Sequence, residues 1–269
     1  MKEMVLDEVK EVQLKVLKEV SDFCEKNNIK YFLAYGTLLG AIRHKGYIPW
    51  DDDIDIMMLR DDYDKFLELF NESNEELKVA AYELDKTFPY TFAKVFDKKT
   101  ILKEDVLINY NIGVNIDVFP MDNLPEDLYE SEKLCKKLDI LKKIYTLKVI
   151  KQNKNRKITK EIILYLSKII FSFISIRQLV QKISNISKRY RHKPSNYVGC
   201  TVWGNSRRGR VEKGIFSNSI DANFEGHIFK VPIGYDTYLK NIYGDYMELP
   251  PLEQRKVHHS YRAFWKDRG

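Results

Sequence analysis

The chain is poor in the features that staple or anchor a protein. Its 269 residues include only three cysteines, Cys24, Cys135 and Cys200, far apart and without a CxxC pair. That excludes a disulfide framework and a zinc ribbon, and it suits a reducing compartment. No run approaches the about 20 apolar residues that span a bilayer. The N-terminal stretch MKEMVLDEVKEVQLKVLKEV is too charged for a secretory signal. A cytoplasmic protein that is not integral to a membrane is therefore expected. With twelve glycines and eight prolines, the chain is neither collagen-like nor low-complexity. What it has instead is 44% apolar and 31% charged residues, the balance of a globular protein with a sizeable core.

The net charge of +6 is unevenly spread. Residues 151–193 hold twelve Lys/Arg and one acid, a net of +11, while the remainder carries −5. Such a segment meets phosphate in nucleic acid, an anionic membrane or a phosphorylated substrate, or it is simply a solvated helix face.

Val5, Val9, Val12, Val16, Val20 and Phe23 recur at steps of three and four, so an amphipathic helix is expected over 4–27. IKYFLAY, residues 29–35, reads as a buried strand, broken by Gly36-Thr37 before a short helix in LLGAIRH. A strand over 53–59 leads into the helix DYDKFLELFNE, with Asp61 or Asp62 as its cap. Strand-like runs follow at 77–83, 91–96, 100–107 and 113–119. No Gly or Pro occurs from 126 to 193, which favours one helix over 126–152 and one or two more over 158–190. Short runs return in YVGCTVWG and HIFKVPIG, and YDTYLKNIYG predicts a last helix. The order implies an α+β fold with an added helical part: a core over 1–125, a basic helical insertion over 126–193, and a C-terminal part over 194–269 completing the core. Within the insertion, IIFSFISI between Lys168 and Arg177 is too short to span a membrane. It lines a core or dips into a membrane interface as one face of a basic helix.

The chemistry concentrates in WDDDIDIMML, residues 50–59. On a strand, residues two apart share a face, so Asp51, Asp53 and Asp55 point one way and Ile54 and Ile56 the other. Like charges so close repel unless a cation neutralises them. An all-oxygen cluster suits Mg²⁺ or Mn²⁺ rather than zinc. The bland alternative is an acidic surface turn. Asp117 lies in a second alternating strand, GVNIDVF, where a lone acid is costly unless paired or ligating, and it is the natural third ligand. Gly36-Thr37 between a strand and a helix allows a phosphate to approach the backbone amides. Arg43, His44 and Lys45 follow that turn, and Lys94 lies in the apolar strand TFAKVF, where a lysine needs a partner.

Gly36-Thr37, Asp53-Ile54-Asp55-Ile56 and Asp117 together resemble the nucleotidyltransferase fold of the DNA polymerase β type. Their Gly-to-Asp spacing is longer than usual, and a Thr stands where Ser or Gly is common. A closer resemblance covers nearly the whole chain. GTLLGAIRHKGYIPWDDDIDI, residues 36–56, is similar to the signature of the LicD family of phosphocholine transferases, whose core the fukutin-related transferases share. FEGHIFKVPIGYDTYLKNIYGDYMELPP, residues 224–251, is similar to that family's C-terminal block, which Arg255 and His258 continue. The resemblance implies a nucleotidyltransferase-type mixed sheet with flanking helices. It also implies transfer of phosphocholine from CDP-choline to a sugar hydroxyl of a teichoic-acid-type or lipopolysaccharide precursor, with release of CMP.

On that reading Asp53, Asp55 and Asp117 hold the metal. Gly36, Thr37, Arg43, Lys94, Trp50 and Tyr243 serve the donor. Choline's quaternary ammonium needs aromatic faces, for which Trp50 and Tyr235, Tyr238, Tyr243 and Tyr246 are placed in sequence. The expected partners are CDP-choline, a lipid-linked glycan and, through the basic helices, the inner face of the cell membrane. No nucleic-acid partner is expected, because the acid cluster would repel a phosphate backbone. CDP-glycerol or CDP-ribitol as donor, or a nucleoside triphosphate, are the alternatives.

Overall fold

The computed structural model describes residues 1–108, 110–151, 153, 157–255 and 261–267; His258 lies outside the described residues. A short strand β1 (Lys2–Glu3) precedes helix α1 (Leu6–Lys26), whose valine stripe is buried. Strand β2 is shorter than expected, only Phe32–Leu33, because Tyr35 turns to a φ of 43° and opens helix α2 (Tyr35–Arg43). Strand β3 (Asp55–Leu59) runs into helix α3 (Arg60–Ser73), where Asp61 and Asp62 sit inside the first turn and do not cap it. Asp62 instead accepts a hydrogen bond from the Lys30 amide at 3.1 Å.

Strands β4 (Leu77–Ala80), β5 (Ala93–Asp97), β6 (Thr100–Glu104) and β7 (Asn115–Asn123) follow. The gly- and pro-free stretch forms helices α4 (Leu128–Val149), α5 (Ile158–Ile170) and α6 (Ile176–Ser187). IIFSFISI is not one helix. Helix α5 ends at Ile170; Ser175 then accepts from the Gln178 amide at 3.1 Å while the Gln178 side chain accepts from the Ser175 amide at 2.8 Å, a capping box that starts α6. The C-terminal part supplies β8 (Tyr197–Gly199), β9 (Val211–Glu212), the hairpin β10 (Ser219–Phe224) and β11 (His227–Pro232), helix α7 (Tyr235–Tyr243) and β12 (Tyr261–Trp265).

The fold is α+β, with a mixed central sheet in the order β2-β3-β7-β5-β4. β8 extends the far end of β7 and carries β9, while β12 joins β1 to β6 in a separate small sheet. Within the central sheet β3 and β7 are parallel, and the pairs on either side are antiparallel. One apolar cluster draws on every part of the chain, from Val16 of α1 through Leu138 of α4 and Ile183 of α6 to Phe229 of β11. Helices α4 and α6 therefore pack on the same core as the sheet, while among the described residues α5 contributes nothing to that cluster.

Candidate active site

The pairing of the central strands decides where the acids go. In the β3–β7 register Asp55 stands beside Asp117, and in the β5–β7 register Lys94 stands on the other side of Asp117. Asp55, Asp117 and Lys94 thus form one row across adjacent strands, on the face opposite the core residues Ile56, Ile116 and Val118. Ladder pairing in β3 begins only at Asp55. Asp51, Asp53 and Asp55 line one cleft, while the buried Ile54 lines a second cleft beside Asp52 and Asp53. Asp52 is buried apart from them, and its carbonyl accepts bonds from Gln13 at 3.0 Å and Tyr261 at 3.4 Å.

Each residue of the row is held from behind. The Asp55 amide donates to the buried Thr37 hydroxyl at 2.8 Å, so the threonine fixes where β3 starts. Gly36 and Thr37 lie within the first turn of α2 rather than ahead of it. A methyl group at Gly36 would meet the Asp51 carboxylate, so the glycine lets that carboxylate lie directly against the first turn of the helix. The Lys94 ammonium donates to Asp117 at 2.7 Å and to Asn115 at 3.3 Å, and lies 3.7 Å from Glu104. Burial opposes its charge, but Asp117 and Glu104 overcome that and raise its pKa. Burial, and then the charges of Asp53, Asp117 and Asp51, push the Asp55 carboxyl well above the usual range, partly offset by Lys94.

A crowd of carboxylates around a buried Asp55 is short of positive charge, and its oxygen donors suit a hard divalent cation. The expected cage is not preformed. Among the described residues no group of three or more His, Cys, Asp or Glu side chains is gathered to hold a metal ion. Lys94 already sits on Asp117. The donor set still fits such an ion, with Asp53, Asp55 and Asp117 as the groups that would turn towards it.

Two clefts flank this row and share Asp53 and Trp203 as a common wall. The larger, about 810 Å³, is lined by Gly36, Arg43, Trp50, Asp51, Asp55, Arg208 and Tyr243 among others. Tyr243 is 43% exposed, yet burial together with Asp55, Asp51 and Asp53 raises its hydroxyl pKa. Arg43 lines the same cleft while its guanidinium donates to the Tyr246 carbonyl at 2.6 Å and the Glu248 carbonyl at 3.1 Å, fastening the C-terminal loop to α2. Tyr238 is fully buried in the core and does not line the larger cleft.

The smaller cleft, about 450 Å³, holds Lys94, Glu104, Asn115 and Asp117 under the rings of Tyr90, Phe92, Tyr145 and Tyr261. The Lys94 ammonium lies 4.9 Å from the centre of the Tyr90 ring and 5.4 Å from that of Phe92. These aromatic residues escaped the sequence reading, because they come from segments with no motif in common. Lys142 of α4 escaped it too. Its ammonium donates to the Gly204 carbonyl at 2.8 Å and the Ser206 hydroxyl at 2.6 Å, pinning the loop that forms part of the larger cleft.

A family model described as LicD/FKTN/FKRP, nucleotidyltransferase domain, matches residues 28–177, which include the whole Asp55–Asp117–Lys94 row. The chain is 34% identical, over 98% of its own length and 99% of the relative's, to the lipopolysaccharide cholinephosphotransferase LicD of Haemophilus influenzae. It is 32% identical to an uncharacterized protein of Rickettsia prowazekii over 44% of this chain and 42% of that one. With a match over more than half its length and a relative aligned nearly end to end, this chain belongs to the LicD/FKTN/FKRP family.

Proposed function

We propose that the protein transfers phosphocholine from CDP-choline to a sugar hydroxyl of a cell-surface glycan precursor, of lipopolysaccharide or teichoic-acid type, and releases CMP. The observation that carries this reading is the 34% identity, over nearly the whole length of both chains, with a lipopolysaccharide cholinephosphotransferase. The clefts support it. The larger one takes the donor, with Arg43, Arg208 and the first amides of α2 around Gly36 offering positive potential to the diphosphate. Trp50 and Tyr243, beside Asp51, Asp53 and Asp55, suit a quaternary ammonium, which has no hydrogen-bond donor. The smaller cleft takes the acceptor sugar, with rings for its apolar face and Lys94, Glu104 and Asn115 for its hydroxyls.

In the proposed reaction an acceptor hydroxyl oxygen bonds to the phosphocholine phosphorus. The bond from phosphorus to the CMP oxygen breaks, and its electron pair leaves with CMP. Asp117, which lines the acceptor cleft, takes the hydroxyl proton on its carboxylate. Lys94 orients Asp117 and faces the charge that builds on the phosphoryl oxygens. Asp53, Asp55 and Asp117 would hold Mg²⁺ or Mn²⁺, which when bound stabilises charge on the attacking and leaving oxygens.

The test is release of CMP from CDP-choline by the purified chain, with and without acceptor glycan and Mg²⁺. Asp55→Asn should lose at least about a hundredfold in kcat, the scale of removing one group that stabilises developing charge, with its circular dichroism unchanged. Wild-type turnover in that variant would remove the site. Equal CMP release from CDP-glycerol or CDP-ribitol would move the donor, and pyrophosphate release from a nucleoside triphosphate would make the protein a nucleotidyltransferase.

A further inference from the structure

Helix α5 is built inside out. A surface helix of a water-soluble domain turns its apolar stripe to the core and its charges to solvent. Here the side against the protein carries the buried Leu164 and Ser167 together with the half-buried Glu161 and Lys168. On that side Lys168 donates to the Ile150 carbonyl at 2.7 Å, Ser167 to the Leu164 carbonyl at 2.7 Å, and Glu161 accepts from the Asn153 amide at 3.1 Å. Lys148 of α4 donates to the Phe171 carbonyl at 2.8 Å and clamps the turn beyond the helix. The outward side presents Ile162, Ile163, Leu166, Ile169, Ile170 and, past the turn, Phe173, each between 50% and 79% exposed. They recur at steps of three and four, so they form one continuous ridge. Single exposed apolar residues are ordinary, whereas a contiguous ridge marks a surface that meets something.

We propose that this ridge seats α5 in the interface of an anionic lipid bilayer. The charge around it selects that occupant. Residues 151–193 carry a net +11, and Lys157, Lys160, Arg177 and Lys182 of α5, α6 and their approach are exposed. A second copy packed on the ridge by two-fold symmetry would bring two such segments together, and their repulsion opposes it. A nucleic acid offers phosphates but nothing for the isoleucines. A bilayer interface takes both, with acyl chains against the ridge and anionic headgroups against the lysines and arginines. Among the described residues no helix is long and apolar enough to cross a membrane, and the 13-residue α5 lies in the plane of the surface. α4, to which α5 is clamped, lines the smaller cleft with Tyr145 and Val149. Docking therefore holds that cleft beside the lipid surface, although the docking itself does not depend on the transfer reaction.

The experiment is co-sedimentation of the purified full chain with vesicles of phosphatidylcholine alone, and of phosphatidylcholine with about 30% phosphatidylglycerol, at low and high salt. The chain should bind the anionic vesicles at low salt and be released by salt. The double variant Ile163→Glu/Ile170→Glu should bind at least about tenfold more weakly. Both side chains are exposed, so its melting temperature and size-exclusion profile should match the wild type. Asp55→Asn should bind vesicles like the wild type whether or not it transfers phosphocholine, which separates this proposal from the catalytic one. Absence of binding to anionic vesicles at low salt would overturn the proposal. So would equal binding to neutral vesicles, or a wild-type dimer that the double variant dissociates.

Discussion

Replacing Lys142 by methionine tests whether α4 shapes the larger cleft. The substitution keeps the length of the side chain and removes its charge. Lost with it are the bonds to the Gly204 carbonyl at 2.8 Å, the Ser206 hydroxyl at 2.6 Å and the Trp203 carbonyl at 3.3 Å, and the ion pair with Asp139 at 3.0 Å. Breaking a buried pair by deleting one partner costs about 3–5 kcal/mol, since the other charge stays behind. Water reaches Asp139, which is 17% exposed, so the lower end applies, about 3 kcal/mol. In a chain of this size each kcal/mol lowers the melting temperature by about 2–4 °C, so a fall of about 6–12 °C is expected. The loop from Trp203 to Ser206 lines the larger cleft, and its release should raise the donor KM. The acids stand on the sheet and in the loop leading to β3, so kcat should move less. Calorimetry and steady-state CMP release read the two effects. A variant that melts within about a degree of the wild type and keeps its KM would refute the argument that Lys142 holds this wall.

Thr37→Val, nearly equal in volume, removes the acceptor for the Asp55 amide and should cost about 1–3 kcal/mol for the orphaned donor. It should lower kcat with little change in KM, and Thr37→Ser should restore turnover; wild-type kcat in the valine variant would show that Asp55 does not depend on this bond. Glu83 titrates below its ordinary value of 4.5, because Lys188 and Arg60 outweigh the burial that pushes it up. Its folded pKa is lowered, so its contribution to stability is present above pH 4.5 and disappears as the pH falls through the lower folded value. Urea midpoints of the wild type and Glu83→Gln should therefore differ at pH 6 and converge towards pH 3, and a constant gap would count against the pairing.

What was legible in the sequence follows from period. The alternation of Asp55 and Ile56 places acid and core residue on opposite faces of β3, while in the loop before the ladder Asp53 and Ile54 line one cleft together. The neighbour of each strand was not legible. Nothing in TFAKVF names Asp117 as the partner of Lys94, because the pair arises from a register between segments 23 residues apart. IKYFLAY reads as a full strand by propensity, but only Phe32–Leu33 pair in the sheet, and the positive φ at Tyr35 ends the run. The break inside IIFSFISI carried a signal, Ser175 followed three residues later by Gln178, which the apolar run on either side obscured. For α5, periodicity marks an apolar stripe but not the direction it faces. That direction is set by the clamps at Lys148 and Lys168.

The parallel register of β3 and β7 also guards the chain against a wrong fold. Side chains alternate along a strand, so a slip by one residue would bring Ile116 or Val118 to the cleft and send Asp117 into the packed interior. The mispaired sheet would lose two core contacts and bury an acid away from Lys94 at once. The arrangement that gathers the acids is thus also the one the core accepts. Molecules that complete the sheet in this register carry the row, and those that slip are exposed as unstable before they could persist as folded but inactive protein.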